Sequence, residues 1–297
     1  NSPSNSPFGD QLEVWPLDFD DPARLTDSLR GADTLYNTYW VRFPRGKAGF
    51  DQAVRNCQTL IKAAEDAEIV ISCVGTDDDL AQVALGREGA FRSMQPGGLF
   101  IDHTTVSARI ARQLFVEGES RGIHCVDAPV TGGHSGAQDG KLAIMCGGSE
   151  PAVAAAKIVM QAYATRIVHV GGAGAGQTAK MANQICIAGI IQGLSEALRF
   201  AQAAELDLDA VFEAISGGAA QSWQMDRYWG TMARDEFDFG FAVDWMRKDL
   251  GLALDEARAN GATLPVTAMI DQFYADVQAM GGHRQDTSAL VRRLTRA

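Results

Sequence analysis

The chain has 297 residues, 46% of them apolar and 21% charged. That balance excludes a disordered protein, and the length favours two domains over one core. A formal net charge of -11 with no lysine- or arginine-rich run excludes nucleic acid and an anionic membrane surface as partners.

Five scattered cysteines, Cys57, Cys73, Cys125, Cys146 and Cys186, form no C-x-x-C pair and point to a reduced, cytoplasmic setting with no metal site. Residues 1–10 are polar and turn-rich, unlike a secretory signal. Residues 34–41 read as a strand and 50–67 as a helix with Val54, Leu60, Ile61 and Ala64 on its apolar side. From residue 68 the grammar sharpens. Apolar runs at 69–74, 99–102, 123–126, 142–146 and 167–170 read as strands buried on both faces. They alternate with helical stretches at 79–94, 107–121 and 150–163, the pattern of a parallel sheet built from βαβ units. After Val170 a glycine cluster at 171–176 opens a long helical stretch, 178–204, and further helices are predicted at 207–216, 241–260 and 266–280. The apolar part of the long helix, 185–194, is broken by Gly189, Gln192 and Gly193 and is too short to span a bilayer. The expected domains are 1–171, α/β, and 172–297, all-α.

Three segments carry candidate chemistry. In Asp127-Ala-Pro-Val-Thr131-Gly132-Gly133, adjacent glycines after a hydroxyl residue leave backbone N–H groups open to a carboxylate. A plain glycine turn has the same composition. In Gly174-Ala-Gly176-Gln177-Thr-Ala-Lys180-Met-Ala-Asn183-Gln184, helical spacing puts Lys180, Asn183 and Gln184 on one face. Desolvation there would lower the lysine pKa toward the range useful for proton transfer, whereas most lysines are solvated. The glycines are spaced G-x-G-x-G, not G-x-G-x-x-G, and read as an interdomain hinge. Lys248 and Asp249, in Phe241-Ala-Val-Asp-Trp-Met-Arg-Lys248-Asp249-Leu250, sit where an apolar helix face meets polar residues. They read either as cleft-facing groups or as an ordinary ion pair.

Taken in this order, and with Asp102-His-Thr-Thr105-Val-Ser, Gly217-Gly-Ala-Ala-Gln-Ser222-Trp and Asp286-Thr-Ser288-Ala, the chain from about residue 67 resembles the β-hydroxyacid dehydrogenase family, of the 3-hydroxyisobutyrate dehydrogenase and tartronate semialdehyde reductase type. The resemblance implies a Rossmann-like domain binding NAD or NADP, then a helical domain that mediates a homodimer or homotetramer, with the active site between them. It implies Lys180 as general acid/base, assisted by Asn183 or by Gln184 one residue later. Thr131, Gly132 and Gly133 would bind the carboxylate of a small β-hydroxy acid or its 3-oxo form. Val74, Gly75, Thr105 and Lys248 would contact the cofactor, and Phe241 and Asp249 would line the cleft.

The family also opens with a strand and a G-x-G-x-x-G turn, whereas the only glycines before Gly75 are Gly9, Gly31, Gly46 and Gly49. Residues 10–66 resemble instead an interior stretch of an extended short-chain dehydrogenase/reductase, in which Asp18 would touch adenine. The first strand and glycine turn are thus expected to be missing or replaced, with weakened pyrophosphate binding. A cofactor-impaired, small-acid-binding dimer is the competing function class. A short-chain-reductase mechanism is disfavoured because no Tyr-x-x-x-Lys follows residue 66.

Overall fold

The computed structural model describes residues 18–29, 34–37, 55–56, 59 and 67–294. The polar lead 1–10 and most of the helix expected at 50–67 lie outside these residues. The chain forms two compact units, Asn1–Val130 with Ala143–Gln177, and Thr131–Leu142 with Thr178–Ala297.

The first unit is built on a sheet. Strands β1 (Thr34–Asn37), β2 (Ile69–Ser72), β3 (Leu99–Asp102) and β4 (His124–Asp127) run parallel, in the registers Thr34↔Ile69, Ile69↔Leu99 and Leu99↔His124. The sheet continues beyond β4 with β6 (Leu142–Gly148), β5 (Val130–Thr131) and β7 (Ala164–Gly171), the last paired with β6. Here two expectations are corrected. β6 pairs antiparallel with β4, Val126↔Gly148, so the sheet is parallel only as far as β4. β7 is exposed along most of its length, since Val168 and Val170 stand 47% and 46% accessible. The β-branched run at 167–170 reflects strand propensity, not burial.

Helix α1 (Pro22–Leu29), absent from the predicted elements, precedes β1 and buries Leu25 in the unit's core, with Phe19 and Leu29 packed beside it. β1 covers the β2 edge that would otherwise present unpaired backbone groups. The helix expected at 79–94 is two: α2 (Asp77–Leu85) and α3 (Ala90–Ser93), divided at Gly86 and Gly89. Thr76 caps α2 by accepting Asp79 N–H at 3.2 Å, and three aspartates in the first turn suit the positive end of the helix dipole. Helices α4 (Ala108–Glu119) and α6 (Glu150–Met160) start on serine caps, Ser107 and Ser149. The core between sheet and helices includes Leu80, Val83, Phe91, Phe100, Ile110 and Leu114, and the rings of Phe91 and Phe100 meet edge to face at 5.2 Å.

The second unit is helical. It contains α5 (Gly133–Gln138), α8 (Leu208–Ser216), α9 (Trp223–Ala233), α10 (Val243–Asn260), α11 (Pro265–Ala279) and a 3-10 segment, Thr287–Leu294. Most of α7 (Ala175–Ala203) also belongs to it. Neither α5, α9 nor the 3-10 segment is among the predicted elements. Ser222 starts α9 by accepting Met225 N–H at 3.0 Å, and its Met225, Trp229 and Met232 join Leu198, Leu250 and Tyr274 in a second core. Phe200, Trp223, Val266 and Met269 of this unit remain exposed. No helix among the described residues is long and apolar enough to cross a membrane.

The units divide between Gln177 and Thr178, inside α7, a short way past the expected 171/172 boundary. Within the cluster expected as a hinge, Gly174 and Gly176 are held in place. Asp127, at the end of β4, accepts Gly174 N–H at 2.8 Å on Oδ1 and Gln177 N–H at 3.0 Å on Oδ2, and so caps α7. A Cβ at Gly176 would lie 2.4 Å from the Met145 carbonyl oxygen and 2.6 Å from that of Asp127. Glycine is required there by close approach of strand and helix, not for flexibility.

Candidate active site

Lys180 follows the capped start of α7 and is only 8% exposed. Burial pushes its ammonium pKa down to about 8; Asp249 opposes that fall and Lys248 adds to it. Asp249, 1% exposed on α10, accepts Gln184 Nε2–H at 2.6 Å on Oδ2, and Gln184 in turn accepts Asn183 Nδ2–H at 2.8 Å. Lys248 Nζ lies 3.0 Å from Asp249 Oδ1 and 5.6 Å from the centre of the Trp245 ring. The ammonium meets that oxygen as a charge at close range and not along a well-aligned hydrogen bond.

The structure therefore joins Asn183, Gln184, Lys248 and Asp249 in one contact network, within electrostatic reach of Lys180. Lys248 and Asp249 are an ion pair, with Asp249 buried, and both charges act on the buried lysine. Phe241 stands before α10, 37% exposed. Its backbone N–H donates to the buried Asp286 at 2.8 Å, and Asp286 also accepts Ser288 N–H and Oγ–H at 2.9 and 2.7 Å. Sequence reasoning quoted Asp286-Thr-Ser288 without assigning it a task. The local signal was there, because Asp-x-Ser favours a carboxylate closing on the backbone two residues on.

Thr131, Gly132 and Gly133 fall in the same unit as Lys180. Gly132 and Gly133 have φ of 124° and 65°, left-handed values that a β-carbon resists, so this turn needs its glycines. Thr131 and Gly132 are half-buried and Gly133 is exposed, where α5 begins.

The remaining candidates lie in the first unit. Val74 and Gly75 follow β2 and Thr105 follows β3, at the carboxyl ends of adjacent parallel strands, where open α/β sheets hold ligands. The neighbouring Thr104 hydroxyl accepts Val74 N–H at 2.9 Å and donates to Asp102 Oδ1 at 2.6 Å. His103 is fixed differently: Nδ1–H donates to the Ala128 carbonyl at 2.6 Å and Nε2 accepts the Tyr163 hydroxyl at 2.8 Å. Burial lowers its pKa, so it serves as a neutral strut. Asp18, the adenine candidate, accepts Asp20 N–H at 3.2 Å in the turn before α1. Among the described residues no His/Cys/Asp/Glu group could hold a metal ion.

Comparison with known proteins gives this arrangement its family. Residues 40–171 match the model of the NAD binding domain of 6-phosphogluconate dehydrogenase. Residues 174–294 match that described as NAD-binding of NADP-dependent 3-hydroxyisobutyrate dehydrogenase. The first match takes in residues 40–66 of the stretch that resembled a short-chain reductase. An uncharacterized oxidoreductase of Shewanella frigidimarina is 49% identical over 89% of this chain and 90% of its own length, a share that includes part of residues 1–66. The 2-hydroxy-3-oxopropionate reductase of Escherichia coli is 35% identical over 80% of this chain and 81% of its own. Among solved structures, a Mycobacterium tuberculosis 3-hydroxyisobutyrate dehydrogenase with L-serine superposes with a TM-score of 0.73 at 30% identity, covering 83% of this chain and 88% of that one. NAD or NADP is the cofactor these family models imply, and the two strand-end loops fit it. On that sequence and structural agreement, the chain belongs to the β-hydroxyacid dehydrogenase family.

Proposed function

We propose that this protein is an NAD(P)-dependent oxidoreductase of a small β-hydroxy acid or its 3-oxo form, with Lys180 as general acid/base. The observation that carries the reading is a buried lysine whose pKa is lowered to about 8, beside a carboxylate and two amides. A group titrating there exchanges protons in either direction near neutral pH.

Thr131, Gly132 and Gly133 receive the substrate carboxylate on backbone N–H groups, and Phe241 and Asp249 line the same site. The nicotinamide, when bound, supplies the hydride acceptor or donor, and Val74, Gly75, Thr105 and Lys248 hold the cofactor. In oxidation, neutral Lys180 takes the hydroxyl proton on Nζ as the carbon gives up hydride; in reduction, the ammonium returns that proton to the oxygen. Asn183 and Gln184 hold the substrate hydroxyl in line with Nζ. Their amides remain neutral across the working range, so they orient without competing for the proton.

The test is the pH dependence of kcat/KM in both directions, with each cofactor and a panel of three- and four-carbon 3-hydroxy and 3-oxo carboxylates. Oxidation needs the neutral amine, so its kcat/KM rises with pH through about 8 and then levels. Reduction needs the ammonium and falls through the same value. Profiles running in the same direction, or no turnover of any panel member, would count against the reading.

A further inference from the structure

Thr105 is flanked by two backbone groups that one side chain holds. Gln177 Nε2–H donates to the Thr104 carbonyl at 2.7 Å, and Gln177 Oε1 accepts Val106 N–H at 3.1 Å. The carboxamide thus pairs with the loop as a peptide group pairs with a neighbouring strand. Gln177 is 0% exposed, so neither backbone group has water as an alternative partner. Its own N–H is fixed by Asp127 Oδ2. On the other side, the Thr104 hydroxyl ties this loop to Val74, and Ser107 N–H and Oγ–H donate to Asp77 at 2.8 and 2.5 Å. The two loops after β2 and β3 therefore form one fixed body, and Gln177 is what attaches it to the first turn of α7, three residues before Lys180.

We propose that Gln177 is a positioning residue for cofactor binding: its buried side-chain amide fixes the Thr104–Val106 loop, and through Thr104 the Val74–Gly75 loop, to the start of the lysine-bearing helix. The inference rests on the reading of Val74, Gly75 and Thr105 as cofactor contacts. Only a group that donates and accepts at once fits the position. Leucine does neither. An ionised glutamate accepts from Val106 but has nothing to give the Thr104 carbonyl, whereas a protonated one has both capacities.

The experiment titrates NADH and NADPH by fluorescence into the full chain and into Gln177→Leu, Gln177→Glu and Ser149→Ala, at pH 6.5 and 8.5. Gln177→Leu should raise the Kd roughly tenfold or more at both pH values, as two buried backbone groups lose their partners. Gln177→Glu should bind as weakly at pH 8.5 and recover toward the parent at pH 6.5, where burial favours the protonated carboxyl. The parent, titrated alongside, removes any effect of native groups that titrate over this range, Asp127 among them. Ser149→Ala loses the cap of α6 in the same unit and lowers the melting temperature, yet keeps the parent Kd. Parent-like binding by Gln177→Leu, no recovery of Gln177→Glu, or an equal loss in Ser149→Ala would each overturn the proposal. If the parent itself binds neither cofactor, the cofactor-site reading fails and this inference with it; a loss confined to the Gln177 variants is the proposal's own signature.

Discussion

Asp127 in the sheet unit and Lys180 in the helical unit are both buried ionisable groups displaced first by desolvation, Asp127 up to about 6 and Lys180 down to about 8. Their partners differ in kind. Asp127 is met by backbone N–H groups of Gly174 and Gln177, which cannot titrate and are fixed by the helix they begin. Lys180 is surrounded by side chains, and the groups acting on its charge, Asp249 and Lys248, pull its pKa in opposite directions. Two opposed side-chain charges act on the Lys180 proton, whereas around Asp127 fixed backbone donors favour the carboxylate against desolvation and tie it to the scaffold. The same physical penalty thus builds a staple in one unit and the candidate proton-transfer group in the other.

The contrast breaks most visibly by removing the poised group. Lys180→Ala should lower kcat by about 10²- to 10⁴-fold while sparing cofactor affinity, because proton transfer is lost and the strand-end loops are untouched. Lys180→Arg should fail nearly as badly, since guanidinium keeps its proton at any working pH. A Lys180→Ala enzyme retaining more than about a tenth of the parent kcat would move the proton to another residue.

Removing the staple should act on stability instead. Asp127→Ala strands two buried N–H groups at the start of α7, a loss of about 2–4 kcal/mol, which for a chain of this size lowers Tm by roughly 5–10 °C. An unchanged Tm would mean that water or a neighbour replaces the carboxylate and that the cap is incidental.

The smallest effect sharpens the comparison by sign alone. Asp249→Asn removes the charge that raises the Lys180 pKa, so the oxidation profile should move to lower pH; Lys248→Met removes the charge that lowers it and should move the profile to higher pH. Lys248→Met should also lower stability, because it leaves Oδ1 of the buried Asp249 without its charged partner. Shifts in one common direction would show that desolvation by itself, without these two charges, sets the lysine.

How far the sequence reached depends on whether a feature is local. The spacing of Lys180, Asn183 and Gln184 is a property of any helix, so their common face was legible before any fold was known. The strands at 69–72 and 99–102 were legible too, because continuous apolar runs bounded by polar residues have few other uses. Ser222, by contrast, opens α9 through a cap that a glycine-rich neighbourhood hid, and α5 lay concealed in what reads as a turn.

The glycine cluster shows the other limit. Gly174 and Gly176 look like freedom in one dimension, and only the fold reveals that a β-carbon at Gly176 would run into β4 and β6 and one at Gly174, where φ is 85°, into the start of α4. The sequence by itself determined the motif order, the helical face of the lysine and the alternation of strand and helix, since each follows from short-range periodicity and residue chemistry. Tertiary structure alone decided that β6 runs antiparallel, that residues 131–142 join the helical unit, that Gln177 reaches back to the loop after β3, and that burial beside Asp249 and Lys248 sets the lysine's pKa. Those are long-range contacts, made between residues dozens of positions apart, and desolvation has no signature in a sequence until the chain that excludes the water is in place.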